Sequence, residues 1–269
     1  MSPAATAPQE DPHADLVGHL LRSRICGDVQ TPRQSNLRNA RLCAQGDPGY
    51  RFGLEFSRDW SYEEIVALLA ERVGSSPDLE HISGSDTIDP WKCVQRLSAM
   101  AGRLAVAAQR RERVLLATGH PTGVLVMHLA IAAALTDAGC DVLMPAPGWT
   151  YLSRGRRRHV CHVGGVAMVT GGADLEHTHD PEPMRGMLDS LAEAGEAPPD
   201  LVIADHGYAG AAGMAGIETV GFADSNDPAL FVGEAEGLIS VAVPLDDNVL
   251  PHLYAPLTEL LIAGIDPSR

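Results

Sequence analysis

Four stretches of the chain share one pattern: VLLATGHPTG (114–123), LVIADHGYAG (201–210), TVGFADSNDP (219–228) and LISVAVPLDDN (238–248). In each, a short apolar run ends in a cluster of Gly, His, Asp, Asn or Thr, and a helix-like segment follows. Strands that alternate with helices predict an α/β fold with a mostly parallel sheet. We expect a Rossmann-like three-layer sandwich with a helical N-terminal segment added to it. In such sheets the ligand lies beyond the carboxyl ends of the strands. All four polar clusters fall on that rim, which points to an enzyme with an anion-binding cleft and metal-ligating side chains.

Composition narrows the class. The chain has 269 residues, 45% of them apolar, which is enough for a substantial core. Its formal charge of −15 speaks against nucleic acid and anionic membrane as partners, since both require clustered Lys and Arg. The one dense basic run is RGRRR (154–158). No apolar run approaches the roughly 20 residues needed to span a bilayer. The start, MSPAATAPQEDPHADL, has no basic region followed by an apolar stretch, so no secretory signal is expected. Five cysteines (Cys26, Cys43, Cys93, Cys140 and Cys161) form no CxxC pair, as in a cytoplasmic protein with reduced thiols.

Along the chain we expect an unstructured start over 1–12, a helical part over 13–110 and an α/β core over 111–269. Apolar spacing predicts a first helix over 13–25. Residues 26–42 mix turn residues with a helix from Ser35, and 47–59 is irregular. Ser61 followed by Glu64 reads as a capping box for a helix that Gly74 closes. HISGSDTIDPWK is a loop, from which Asp89 and Pro90 start a helix running to about residue 110. In the core, 148–159 is a loop carrying the arginines, and VCHVGGVAMVT (160–170) is a hairpin turning at Gly164-Gly165.

The rim clusters supply the chemistry. At ATGHPTG, free N–H groups at a helix start suit a phosphate. Gly119 and Gly123 would let the backbone approach it, Thr118 and Thr122 would add hydroxyls, and His120 would act as an acid. Asp205 beside His206 supports general acid–base work or metal ligation. Asp224 and Asn226 offer hard oxygen ligands for Mg²⁺, with Asp227 placed to cap the next helix. If HTHD (177–180) is extended, His177 and His179 share a face and can hold a metal. PLDDN adds Asp246 and Asp247 to the rim, where Asp247 or Asn248 is also placed to cap the last helix. Arg33, Asn36 and Asp89 lie in loops of the first half. No GxSxG elbow and no activated cysteine is present, which leaves serine and cysteine hydrolase chemistry without support.

The strings TPRQSNLRN, IDPWK, ATGHPTG, HTHDPEPM, ADHGYAGAAGMAGIETVGFADSNDPAL and VPLDDN together resemble a family of actinobacterial phosphatases. The resemblance runs over nearly the whole chain from about residue 20. It departs at Thr87, where the pattern has an aromatic residue. It implies phosphate-ester hydrolysis and points to Arg33, Asn36, Asp89, His120, His177, His179, Asp205, His206, Asp224 and Asn226. The resulting expectation is a phosphatase for a small phosphorylated metabolite. His120, His206 and Asp205 would be catalytic. Thr118, Gly119, Thr122, Gly123, Arg33, Asn36 and Asp89 would bind substrate. Asp205, Asp224, Asn226, His177 and His179 would hold a divalent metal, Mg or Mn. A homo-oligomer is compatible with this. The alternatives are a sugar-phosphate isomerase or lyase, and a non-catalytic metabolite-binding regulator.

Overall fold

The computed structural model describes residues 12–265. The expectation for the start of the chain therefore falls, but for residue 12, outside the described residues. In chain order the elements are α1 Ala14–Arg22, β1 Gly27–Pro32, α2 Arg33–Ala44, α3 Pro48–Arg51, α4 Tyr62–Arg72, β2 Ser85–Ile88, α5 Pro90–Arg110 and β3 Arg113–Ala117. There follow α6 Leu125–Asp137, β4 Asp141–Val142, β5 Thr150–Ser153, β6 Arg156–Val163, β7 Val166–Thr170, α7 Glu182–Glu193 and β8 Leu201–Ala204. The chain continues with α8 His206–Met214, β9 Thr219–Ala223, α9 Pro228–Ala235, β10 Val241–Pro244, a 3₁₀ turn Pro251–Tyr254 and α10 Ala255–Ala263.

The large sheet has the order β10-β9-β8-β3-β7-β6-β5, with β4 beside the start of β3. Five of its pairings are parallel, and β7-β6-β5 is an antiparallel edge. The parallel strands β8, β9 and β10 are buried throughout, as apolar runs covered on both faces require. β3 is the switch point. The chain builds β7 on one side of it and then returns to place β8 on the other. A crevice opens at the carboxyl ends of two such strands.

Local signals explain several helices. Ser61 and Glu64 close the capping box of α4, and the Asp89 side chain accepts from the N–H groups of Trp91 and Lys92 to start α5. Two segments depart from the sequence expectation. Residues 148–159 form no loop but the β5–β6 hairpin, whose turn residues Arg154 and Gly155 both have positive φ (49° and 75°). That conformation suits two-residue hairpins, but Arg is a rare occupant of it, so the turn signal was weak. The expected all-helical first part also contains a two-stranded antiparallel ribbon of β1 and β2. GDVQTP and SDTI are poor strand formers on their own, and the ribbon is held by tertiary bonds. The Asp246 N–H donates to the Ile25 carbonyl (2.9 Å), and the Gln30 N–H donates to the Asp246 carboxylate (3.1 Å).

Behind the ribbon, Arg33 is buried against Asp86 (3.0 Å) and donates to the carbonyls of Ser76 (2.7 Å), Asp78 and His81. Asn36 donates to the same Asp86 oxygen (2.5 Å). Removing one partner of a buried, hydrogen-bonded ion pair leaves an uncompensated charge. Arg33→Met is therefore expected to lower the free energy of unfolding by about 3–5 kcal/mol in urea titrations. An unchanged unfolding midpoint combined with a raised KM would instead return Arg33 to the substrate.

Candidate functional site

Four strand ends and one loop meet at the carboxyl rim. β8 passes directly into α8 through Asp205 and His206. Asp205 is extended, but His206 is held left-handed at φ 45°. Such a backbone costs a non-glycine residue about 1–3 kcal/mol and gathers at functional sites. Thr118 and the Gly119 N–H, at the end of β3, both donate to the Asp205 carboxylate, the latter at 2.6 Å. The same carboxylate faces His206 Nδ1 at 3.0 Å. That contact turns Nε2 outward, where it meets Asp227 Oδ2 at 3.3 Å and Asp247 Oδ2 at 3.6 Å.

Around His206 stand three more histidines. His120 Nδ1 lies 3.2 Å from Asp247 Oδ2. His177 and His179 come from the loop after β7, with ring centroids 4.5 Å from His120 and 4.6 Å from His206, respectively. Phe52 sets its edge against His179 and His206. The glycines of ATGHPTG permit this convergence. A side chain at Gly119 would overlap the Thr178 carbonyl, and one at Gly123 would overlap the Asp247 backbone. Their close approach is thus to other parts of the protein.

Next to the histidines, Asp224, Asp246 and Asp247 form an acidic group. Asp224 accepts from Thr31 (2.6 Å) and from the Ser225 N–H (2.6 Å), while Asp246 accepts from the Asn248 N–H (3.0 Å). Three sets of side chains have ligand atoms within 4.8 Å of one another: His120/His177/His206, His179/His206/Asp227 and Asp224/Asp246/Asp247. Opposite ligands of a first-row ion stand about 4.2 Å apart, twice a bond of about 2.1 Å, so only a small closure separates these sets from coordination. The residues could hold a metal.

Electrostatics agree with that fit. Asp205, Asp224, Asp227, Asp246 and Asp247 are all at most 4% exposed, and none has an Arg or Lys ion partner among the described residues. Burial, reinforced by the charges of Asp247, Asp246 and Asp227, pushes the Asp224 carboxyl well above the usual range. Burial would lower the His206 imidazole, but Asp227 and Asp205 outweigh it and raise it well above its ordinary value. His120 is likewise raised to about 9, its burial overcome by Asp247. His177 is pushed down to about 3 by burial and by the neighbouring imidazoles.

The structure brings together Thr118, Gly119, His120, His177, His179, Asp205, His206 and Asp224. Other expected residues sit elsewhere. Thr122 is exposed and reaches only Asn248 (3.4 Å), α6 starts beyond it at Leu125, and Asn226 accepts through its backbone carbonyl from Asn39 (2.9 Å). Arg33 and Asn36 are spent on Asp86, and Asp89 is spent on the start of α5. The sequence reading left Asp227, Asp246 and Asp247 out of its site. Asp227 does stand at the N-cap position of α9, but its side chain makes no capping bond and turns to His206. Asp246 and Asp247 do lie on the rim where the fourth strand end was expected to put them.

The Phosphatase family profile matches residues 12–268. The chain belongs to that family. It is also 49% identical over 251 residues to a Streptomyces coelicolor protein named Phosphatase SCO2771, covering 93% of this chain and 94% of that protein. It is therefore a phosphatase-family hydrolase. Among the described residues, no helix is long and apolar enough to cross a membrane. The strained turn at His206 gives a direct test. His206→Gly should be more stable than His206→Ala by about 1 kcal/mol in thermal or urea unfolding, because only glycine relieves the left-handed backbone. Equal stabilities would mean that residue 206 carries no strain.

Proposed function

We propose that the chain hydrolyses a small phosphorylated metabolite in the cytoplasm with the help of a divalent metal bound at the carboxyl rim. The observation that carries this is the set of five buried carboxylates that, among the described residues, have imidazoles but no Arg or Lys as ion partners. Buried charges are paired or coordinate metals. The imidazoles mixed among them favour Mn²⁺ or another transition ion over Mg²⁺. Three-layer, Rossmann-like packing around the sheet belongs to the same reading, supported by the switch of strand order at β3. Membership of the Phosphatase family favours hydrolysis over isomerase, lyase or regulatory roles.

In this reading His179, His206 and Asp227, with the Asp224/Asp246/Asp247 group beside them, would hold the metal. A bound divalent ion supplies Lewis acidity at a phosphoryl oxygen and lowers the pKa of its water. Asp205 serves behind the ligands. It takes hydrogen bonds from Thr118 and Gly119 and holds His206 through Nδ1, so that Nε2 is the nitrogen turned to the site and would ligate the ion once its proton is displaced. Asp247 orients His120 to carry a proton to the leaving oxygen. Phe52 excludes water from the far side of His179 and His206.

Chelation followed by dialysis is expected to abolish hydrolysis of p-nitrophenyl phosphate, with Mn²⁺ restoring more activity than Mg²⁺. Full activity in metal-free protein would refute the assignment. Asp205→Asn should weaken metal binding about 10–100-fold by calorimetry, as outer-shell partners of ligating histidines do. Wild-type affinity in this variant would remove Asp205 from that role.

A further inference from the structure

A cleft of about 510 Å³ opens beside the histidine cluster. One end is formed by His177, Thr178 and His179, which also face the rim site. Asp47–Gly49 line it as well, and so does the β5–β6 hairpin, through Ser153, Arg154 and Arg158. The cleft is far larger than a phosphate needs and falls within the range of pockets for organic ligands, about 300–1,000 Å³. It is the natural seat for the part of a substrate that lies beyond the phosphoryl group.

The chemistry of the cleft selects that part. Both lining aspartates are engaged in starting helices: Asp47 accepts from the Gly49 N–H (2.9 Å) and Asp180 from the Glu182 N–H (3.1 Å). The arginines are left with capacity. Arg158 pairs with Glu176 through one terminal nitrogen (2.6 Å), and its side chain, 13% exposed, also lines the cleft. Arg154 is exposed at the hairpin tip and has no ion pair among the described residues. Its left-handed backbone, at φ 49°, belongs to the tight turn that brings it over the cleft. Planar guanidinium groups recognise carboxylate and phosphate by paired N–H bonds.

We propose that the substrate is doubly anionic: a phosphomonoester whose organic part carries a second carboxylate or phosphate, bound by Arg154 and Arg158 while the ester phosphate meets the histidine cluster. This rests on the phosphatase reading above and adds the substrate class. The second anion sets affinity and selection, and the rim site sets turnover.

The test is a comparison of kcat/KM on matched esters with the Mn²⁺-loaded protein. 3-Phosphoglycerate against glycerol 3-phosphate reads a carboxylate, and fructose 1,6-bisphosphate against fructose 6-phosphate reads a second phosphate. At least one ester with the second anionic group should exceed its counterpart without it by about tenfold or more, the scale of a charge-assisted hydrogen bond, mostly through KM. Arg154→Ala, at an exposed turn, should cut that ratio at least about fivefold, as should raising the salt concentration. Ratios within twofold of one for both pairs, or a preference untouched by Arg154→Ala, would overturn the proposal. If both ratios are near one while His206→Gly still abolishes hydrolysis of glycerol 3-phosphate and fructose 6-phosphate, the phosphatase reading stands and only this inference falls. If no ester is hydrolysed, both fall.

Discussion

The rim of this protein must accommodate five carboxylates out of contact with bulk water and, among the described residues, with no lysine or arginine paired to them. Isolated buried charges are costly enough that a fold keeps them only when something compensates. Here the compensation within the chain comes from imidazoles, threonine hydroxyls and backbone N–H groups. These are directed by the strand ends, and the left-handed turn at His206 is one cost of directing them. A cation completing the balance is the core of the proposed function. It also explains why the N-terminal ribbon matters: Thr31 and Gln30 hold Asp224 and Asp246 in place from outside the sheet.

The sheet topology makes the crowding possible. Because β3 has β8 on one side and β7 on the other, the loops that follow these strands leave in different directions and enclose a shared space. The chain fills that space from both sides. The 177–179 loop closes down on Gly119, and the 246–248 loop closes down on Gly123. Both approaches are closed to a residue with a Cβ, so the glycines of ATGHPTG serve the assembly of the site as much as any ligand. The hairpin edge β5–β6 extends beyond this centre and borders the cleft through which a substrate would reach it.

Much of this was legible in the sequence because the signals were local. The apolar runs at 114–117, 201–204, 219–223 and 241–244 became parallel strands, and the capping box at Ser61 and the Asp89-Pro90 start formed as expected. The rim residues Thr118, His120, His177, His179, Asp205, His206 and Asp224 converge. What the sequence concealed depended on distant partners. β1 and β2 have weak strand propensity and pair across more than half of the N-terminal part. Arg33 looked like a free loop arginine because its partner, Asp86, lies far along the chain. Asp227 looked like an ordinary helix cap because only the folded chain brings His206 to face it.

Anomalous diffraction from crystals grown with Mn²⁺ tests the central claim most directly. The account predicts a peak on the carboxyl side of β8 and β9, within about 2.2 Å of His206 Nε2 and of an Asp227 or Asp247 oxygen. A data set of the same quality with no anomalous density among these side chains would contradict it.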